Sequence, residues 1–192
     1  MGEISYDFAR IEGPTVVMVV KPFAAYDRAH YEAGIDLALV SVRRNHPDAL
    51  DPAIKSCNLI NNILAIREAQ GRGAFEAVML NDRGQVAECA ASNLFIVSGG
   101  RVITPPLSAG ILPGITRAAV MDVARETGLP VSEEAFAPEA LLAADEAFIT
   151  SSLKEVTPVR AVDGRPIGTG RPGPITRRLL HAFRDALPRL CD

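Results

Sequence analysis

Short apolar runs bounded by turn residues recur along the chain and predict a series of strands. Valine, isoleucine and leucine cluster in these runs, while glycine, asparagine, aspartate and proline separate them. The turns at 81–84 and 98–100 favour hairpins between neighbouring strands, and Asp163-Gly164 favours another near the end of the chain. The predicted strands are 15–20, 36–42, 76–80, 85–90, 94–97, 101–104, 131–135 and 146–150.

Apolar residues at spacings of three and four predict helices between the strands. The pattern is clearest from Leu59 to Arg67, where Gly71 and Gly73 then end it. Similar patterns predict helices at 116–126, 138–143 and 174–186. Strands and helices do not alternate regularly, so we expect an α/β fold with a mixed sheet and several antiparallel pairs.

The composition adds no new element to this prediction, but it argues against several classes of protein. The 192 residues are 48% hydrophobic and 22% charged, which is ordinary for a globular protein. A formal net charge of -3 gives no basic footprint for nucleic acid or an anionic membrane. No signal peptide or membrane-spanning run is visible, and three scattered cysteines fit a reducing cytoplasm. No Cys/His spacing suggests a metal site.

Lys55 is the first candidate for chemistry, because the chain contains 17 arginines and only three lysines. Lysine can lose its proton and act as a nucleophile, whereas arginine cannot. Lys55 precedes the predicted helix at 59–67, a position that suits an amine forming a Schiff base with a carbonyl cofactor. Taken alone, it would more often be an ordinary lysine whose charge reaches solvent.

Glu88 is the second candidate, since strand alternation places it on the face of Val86 and Ala90. A carboxylate among apolar side chains needs a cationic partner or must take up a proton. A protonated pyridine nitrogen would be such a partner. The alternative is an edge strand with Glu88 in water.

Two segments could bind a phosphate. Gly114 and Thr116 lie at the start of a predicted helix, where unpaired N–H groups favour an anion. Thr150, Ser151 and Ser152 follow a strand and offer three hydroxyl groups. A capped helix and a polar loop are the simpler interpretations.

An amine, a carboxylate and two anion-binding segments together match the needs of pyridoxal 5'-phosphate. The chain resembles the large domain of the class IV (fold type IV) pyridoxal-phosphate enzymes. These include D-amino-acid and branched-chain aminotransferases and aminodeoxychorismate lyases. The resemblance covers about residues 15 to 187 and rests on landmarks in the family's order, which are Ile54-Lys55-Ser56 with Asn58, Glu88 with Asn93-Leu94-Phe95, Leu112 with Gly114-Ile115-Thr116-Arg117, and Asp145-Glu146 through Val156-Thr157-Pro158-Val159.

The resemblance implies the fold and the site. The fold would be a mixed, largely antiparallel sheet or pseudo-barrel with flanking helices. Residues 1–20 would be the tail of a small N-terminal domain and 21–192 the large, cofactor-binding domain. Lys55 would form the Schiff base, remain neutral through partial burial, and shuttle the proton. The remaining cofactor contacts would be Glu88 to the pyridine nitrogen, Leu112 against the ring, and Ile115, Thr116 and Ser152 around the phosphate.

The implied function is transfer of an amino group between an amino acid and a 2-oxo acid, in a cytoplasmic homodimer. Leu59, where branched-chain enzymes tend to have an aromatic residue, leans towards the D-amino-acid type. Lys154 either meets a substrate carboxylate or, by the favoured interpretation, is a solvated surface charge. A pyridoxal-phosphate lyase and a cofactor-binding domain without turnover are the alternatives.

Overall fold

The computed structural model describes residues 7–11, 13–22 and 26–190. Residues 1–6 and 12 of the predicted N-terminal tail, and Cys191, lie outside the described residues. None of the helices in the described ranges combines the length and the apolar character needed to cross a bilayer.

Nine strands in the described part of the chain form one mixed sheet. They are β1 (Ile35–Leu39), β2 (Glu76–Leu80), β3 (Val86–Cys89), β4 (Asn93–Ser98), β5 (Arg101–Thr104), β6 (Val131–Glu133), β7 (Glu146–Ser151), β8 (Glu155–Val162) and β9 (Arg165–Pro166). Their order is β3-β2-β1-β8-β7-β4-β5-β6, with β9 paired to β8. β1 runs parallel to β2 and β8, and β5 runs parallel to β6, while the other pairs are antiparallel. The expected mixed, largely antiparallel sheet is therefore confirmed.

Helices flank the sheet and complete the apolar core. They are α1 (Arg28–Ala33), α2 (Ile60–Gly71), α3 (Ile115–Glu126), α4 (Pro138–Leu142) and α5 (Pro174–Leu190). β4 and β7 pack through Phe95 and Phe148 against α3 and α5, whereas α2 packs through Ala65 and Ala69 beside Met79. The helices predicted from the sequence are present, and α1 was not predicted.

The strand predicted at 15–20 is wrong. Residues 13–22 have no regular secondary structure, and Val16 to Val20 are 70–97% exposed. The β-branched run favours an extended backbone, but a strand also needs a paired neighbour. No strand in the described ranges pairs with this segment.

Helix α2 is confirmed, and the large apolar residues whose spacing predicts it point to solvent. Ile60 and Ile63 are 69% and 59% exposed, and Leu59 and Leu64 are also exposed. The buried side is instead formed by small residues, Ala65 and Ala69, which let the helix approach the sheet closely. The outer side of α2 is therefore an exposed apolar surface.

The strand face predicted for Glu88 is partly wrong. Glu88 lies opposite Met79 on β2, and Val86 lies opposite Leu80, with a register shift between the two pairs. Directly opposed residues share a face, and the neighbours Met79 and Leu80 point to opposite faces. Val86 therefore faces away from Glu88. A β-bulge of this kind redirects a side chain and is common beside active sites.

The N-terminus of α5 is held by a carboxylate from the sheet. Glu146 on β7 is buried and accepts hydrogen bonds from the Ile175 and Thr176 N–H groups at 3.0 and 2.7 Å. The Thr176 hydroxyl donates to the same carboxylate at 2.6 Å. A Cβ atom on Gly173 would lie 2.0 Å from the Glu146 side chain, so only glycine allows this approach.

Candidate active site

Glu88 is the buried centre of the site. Its side chain is 5% exposed, and the Arg44 guanidinium lies 2.9 Å from Oε1. The Leu112 N–H donates to Oε1 at 3.1 Å, and the Asn93 amide donates to Oε2 at 3.0 Å. Of the two outcomes expected for a buried carboxylate, a cationic partner is present, and the cation comes from this chain.

Burial changes the acidity of this group. It raises the pKa of Glu88 from its ordinary 4.5 to about 7, and the charge of Arg44 and the Leu112 N–H oppose that rise. Desolvation outweighs the pairing because the carboxylate loses nearly all its contact with water. A further positive charge beside Glu88, such as a protonated ring nitrogen, would favour the carboxylate form.

Arg44 was not identified from the sequence. Its backbone N–H donates to the Leu80 carbonyl at 2.8 Å, and its guanidinium reaches Asn62 at the start of α2 at 3.4 Å. Asn62 in turn donates to the Ala90 carbonyl at 2.6 Å, so α2 and the end of β3 are tied together around the pair. The sequence does indicate that a buried Glu88 carboxylate would favour a nearby cation. It does not indicate which residue supplies that cation.

Asn93 joins Glu88 to the first segment that is predicted to bind a phosphate. Its amide nitrogen also donates to the Leu112 carbonyl at 2.9 Å. A Cβ atom on Gly114 would lie 2.1 Å from the Asn93 side-chain oxygen, so a larger residue would displace Asn93. Gly114 is the N-cap of α3 and has no side chain to cap the helix. The N–H groups of Ile115 and Thr116 therefore remain suitable for an anion.

The second segment that is predicted to bind a phosphate, 150–152, lies next to Asn93 because their strands pair. Thr150 lies directly opposite Asn93 in the β4–β7 pair. Ser151 ends β7 and accepts a hydrogen bond from the Lys154 N–H at 3.2 Å, and Ser152, which begins the following turn, is exposed. The two predicted phosphate-binding segments thus lie on either side of Asn93.

Lys55 lies in an exposed loop between the turn at 47–50 and α2. The expected partial burial of Lys55 is therefore wrong, because its side chain is exposed among the residues that the structure describes. The loop nevertheless runs beside the site, because a Cβ atom on Gly110 would lie 3.7 Å from Pro47 and 3.9 Å from Pro52. Gly110 precedes Leu112 by two residues, so the loop of Lys55 borders the segment that binds Glu88.

The favoured interpretation of Lys154 as a solvated charge is wrong. Its side chain is 18% exposed, and Nζ lies 2.6 Å from the buried carboxylate of Glu76. Nζ also donates to the Ser92 hydroxyl at 3.0 Å and lies 5.6 Å from the Phe75 ring centre. Turn geometry brings the residue back over the sheet, which periodicity in the sequence does not reveal.

The hydrogen-bonding groups of this site are of the kinds that pyridoxal 5'-phosphate needs. A buried carboxylate with a raised pKa suits a ring nitrogen, and an uncapped helix start with nearby hydroxyls suits a phosphate. The tight contact between Gly114 and Asn93 keeps the carboxylate that suits the ring nitrogen close to the helix start that suits the phosphate.

Comparison with known proteins identifies relatives of this chain. The family model for amino-transferase class IV matches residues 4–162. A putative branched-chain-amino-acid aminotransferase of Methanocaldococcus jannaschii is 40% identical over 185 residues, which cover 96% of this chain and 63% of that protein. The crystal structure of the Escherichia coli branched-chain amino acid aminotransferase has a TM-score of 0.83 at 39% identity, over 86% of this chain and 55% of that one.

A third relative is the branched-chain amino acid aminotransferase of Thermobaculum terrenum, whose crystal structure is of the PLP-form, the holo-form. Its TM-score is 0.81 at 37% identity, over 85% of this chain and 54% of that one. The chain thus spans between about half and two thirds of the length of these relatives. From the profile match and the identity to these proteins, the chain belongs to the class IV aminotransferase family.

Proposed function

We propose that this chain carries the cofactor-binding part of a pyridoxal-phosphate-dependent aminotransferase. It would move an amino group between a branched-chain amino acid and a 2-oxo acid. One observation carries the proposal, which is the buried Glu88 carboxylate held by Arg44, Asn93 and the Leu112 N–H beside an uncapped helix start. The names of the relatives, and the PLP-form of one of them, support it.

The cofactor would be held at both ends. Glu88 would accept a hydrogen bond from the ring nitrogen, and Leu112 would lie against the ring. The N–H groups of Ile115 and Thr116, with the hydroxyls of Thr116 and Ser152, would bind the phosphate. Residues 21–192 would form this cofactor-binding domain, and residues 1–20 the end of a smaller one.

Lys55 would supply the reactive amine. When bound, pyridoxal 5'-phosphate provides an aldehyde that accepts the amino group and a ring that accepts the electron pair from the substrate Cα. Lys55 Nζ in its neutral form would take the proton from Cα and return it, as a general base and acid. Glu88 would keep a proton on the ring nitrogen, because a carboxylate opposite favours the charged ring.

The relatives favour branched-chain amino acids over the D-amino acids towards which Leu59 leans. Leu59 is half exposed at the start of α2. The argument for D-amino acids rests on this one position, whereas the relatives match over most of the chain. Transfer to a 2-oxo acid separates this function from the lyase alternative. Release of pyruvate from aminodeoxychorismate without any amino acceptor would favour the lyase.

The test is to locate the cofactor on the chain. We expect purified protein mixed with pyridoxal 5'-phosphate to develop a visible absorbance band, and borohydride to fix the cofactor on Lys55, as read by peptide mass spectrometry. The variant Lys55→Ala should lose both signals. Lys21→Ala is the matched control, because Lys21 is exposed and lies outside the site.

Attachment to Lys21 or Lys154, or no attachment, would overturn the proposal. Attachment to Lys55 without amino transfer from leucine to 2-oxoglutarate would instead support a cofactor-binding domain that has no turnover of its own.

We further propose a homodimer and a cytoplasmic location. The exposed apolar side of α2, formed by Leu59, Ile60, Ile63 and Leu64, supports self-association. The free thiols of Cys57 and Cys89 support a reducing compartment.

A further inference from the structure

Lys154 forms a largely buried ion pair close to the site. Its ammonium group contacts the Glu76 carboxylate at 2.6 Å and the Ser92 hydroxyl at 3.0 Å. The Glu76 side chain is 3% exposed. Burying such a pair costs desolvation energy, which offsets much of the attraction between the two charges.

The pair fixes the bend that leads into β4. Glu76 accepts a hydrogen bond from the Ala91 N–H at 2.6 Å and from the Ser92 hydroxyl at 3.1 Å. Asn93 is the next residue, and its amide binds Glu88. The position of Asn93 relative to the turn after β7 therefore depends on a bend that Glu76 and Lys154 hold, whereas Glu88 is also held by Arg44 and the Leu112 N–H.

The same lysine also fixes the turn after β7. Its N–H donates to the Ser151 hydroxyl, and its carbonyl accepts a hydrogen bond from the Thr157 hydroxyl at 2.7 Å. Ser152 lies within this turn and is exposed. One residue thus joins the turn that presents Ser152 to the bend that presents Asn93.

We propose that Lys154 is a positioning residue that clamps the turn of Ser151–Lys154 to the bend of Ala91–Ser92, and so sets the spacing between the phosphate end and the ring-nitrogen end of the cofactor site. The inference rests on the proposed function. It assigns Lys154 no contact with the cofactor. Its effect passes through Glu76 and Ser92.

Comparing two ligands separates positioning from general stability. Pyridoxal has the ring and aldehyde of pyridoxal 5'-phosphate but lacks the phosphate. In Lys154→Met, we expect the Kd for pyridoxal 5'-phosphate in equilibrium dialysis to rise about tenfold, while the Kd for pyridoxal changes less than about twofold. Glu76→Gln should give the same selective loss, because it removes the charge that holds Lys154.

Lys21→Met is the matched control, since it removes an exposed lysine and should change neither Kd. The double variant Lys154→Met with Glu76→Gln should lose no more affinity than either single variant, because the two residues act as one unit. In the cofactor-free chain, hydrogen exchange at 151–154 and 91–93 should rise together in Lys154→Met.

An equal loss of affinity for both ligands, or no loss for either, would overturn the role of Lys154. Exchange that rises on only one side of the clamp would also contradict it. If the unaltered chain binds neither ligand, the proposed function itself fails, and this inference fails with it.

Discussion

Glu88 makes the stability of the chain depend on pH in an unusual direction. Burial raises the pKa of Glu88 from 4.5 to about 7, so the folded chain holds a proton that the unfolded chain releases. The stabilisation from this proton is complete below about pH 4.5 and is lost as the pH rises through about 7. A shift of this size corresponds to about 3 kcal/mol.

We therefore expect the free energy of unfolding of the unaltered chain to fall relative to that of Glu88→Gln as the pH rises from about 4.5 to about 8. Urea titrations at several pH values would measure the difference. In the control Glu126→Gln, the difference should stay flat above about pH 4.5, because the hydrogen bond to Arg189 lowers the pKa of Glu126. A constant difference for Glu88→Gln would contradict the raised pKa.

The sequence was sufficient to identify Glu88 as a buried acid but not to identify its partners. Alternation and motif order are local, and they single out Lys55 and Glu88 one residue at a time. Arg44 is 44 positions before Glu88, and the two meet only because β2 and β3 pair and the chain after β1 runs beside them. The bulge at Ala87 could not be seen either, since it depends on the register of two strands.

At the scale of elements, the junction between β7 and α5 depends on one carboxylate. Glu146 accepts three hydrogen bonds from the first turn of α5, and its negative charge suits the positive end of the helix dipole. We expect Glu146→Ala to lower the free energy of unfolding by about 2 to 4 kcal/mol, because it leaves buried donors without an acceptor.

Denaturant unfolding would measure this loss, and Glu146→Gln should lose less, since its amide oxygen can still accept. Glu139→Ala serves as the control, because Glu139 is an exposed acid in the first turn of α4 and should change stability by no more than about 0.5 kcal/mol. A loss of similar size in both alanine variants would show that the cap contributes little.

Element prediction succeeded where the sequence pattern and the packing agree. β2 and β5 match their predicted bounds because turn or proline residues limit each run on both sides, and β2 is buried throughout while β5 buries alternate residues. The strand predicted at 15–20 is wrong because an apolar run does not by itself supply a pairing partner. The sequence pattern does not show which side of α2 faces the sheet, because the small residues Ala65 and Ala69, with Ile66, form that contact.

At the scale of the whole molecule, the outer side of α2 provides a test of self-association. Ile63 is 59% exposed in the middle of this apolar side. We expect the unaltered chain to form a dimer in size-exclusion chromatography with light scattering, and Ile63→Glu to shift it towards the monomer, because a charge in an apolar interface must be desolvated.

Leu107→Glu is the control, because Leu107 is also half exposed but lies outside α2. A dimer that survives Ile63→Glu unchanged would locate the interface elsewhere. A monomer at all concentrations would contradict the proposed dimer.

The arginine-rich composition and the buried pair of Lys154 also make the chain a convenient target for acylation. Guanidinium groups do not react with succinimidyl esters, and the Lys154 amine is engaged by Glu76 and Ser92. The side-chain amines open to such reagents are those of Lys21 and Lys55. Under the proposed role of Lys55 as the amine that binds the cofactor, modification of Lys55, normalised to that of Lys21 in the same sample, would report how many molecules hold the cofactor, without any turnover assay.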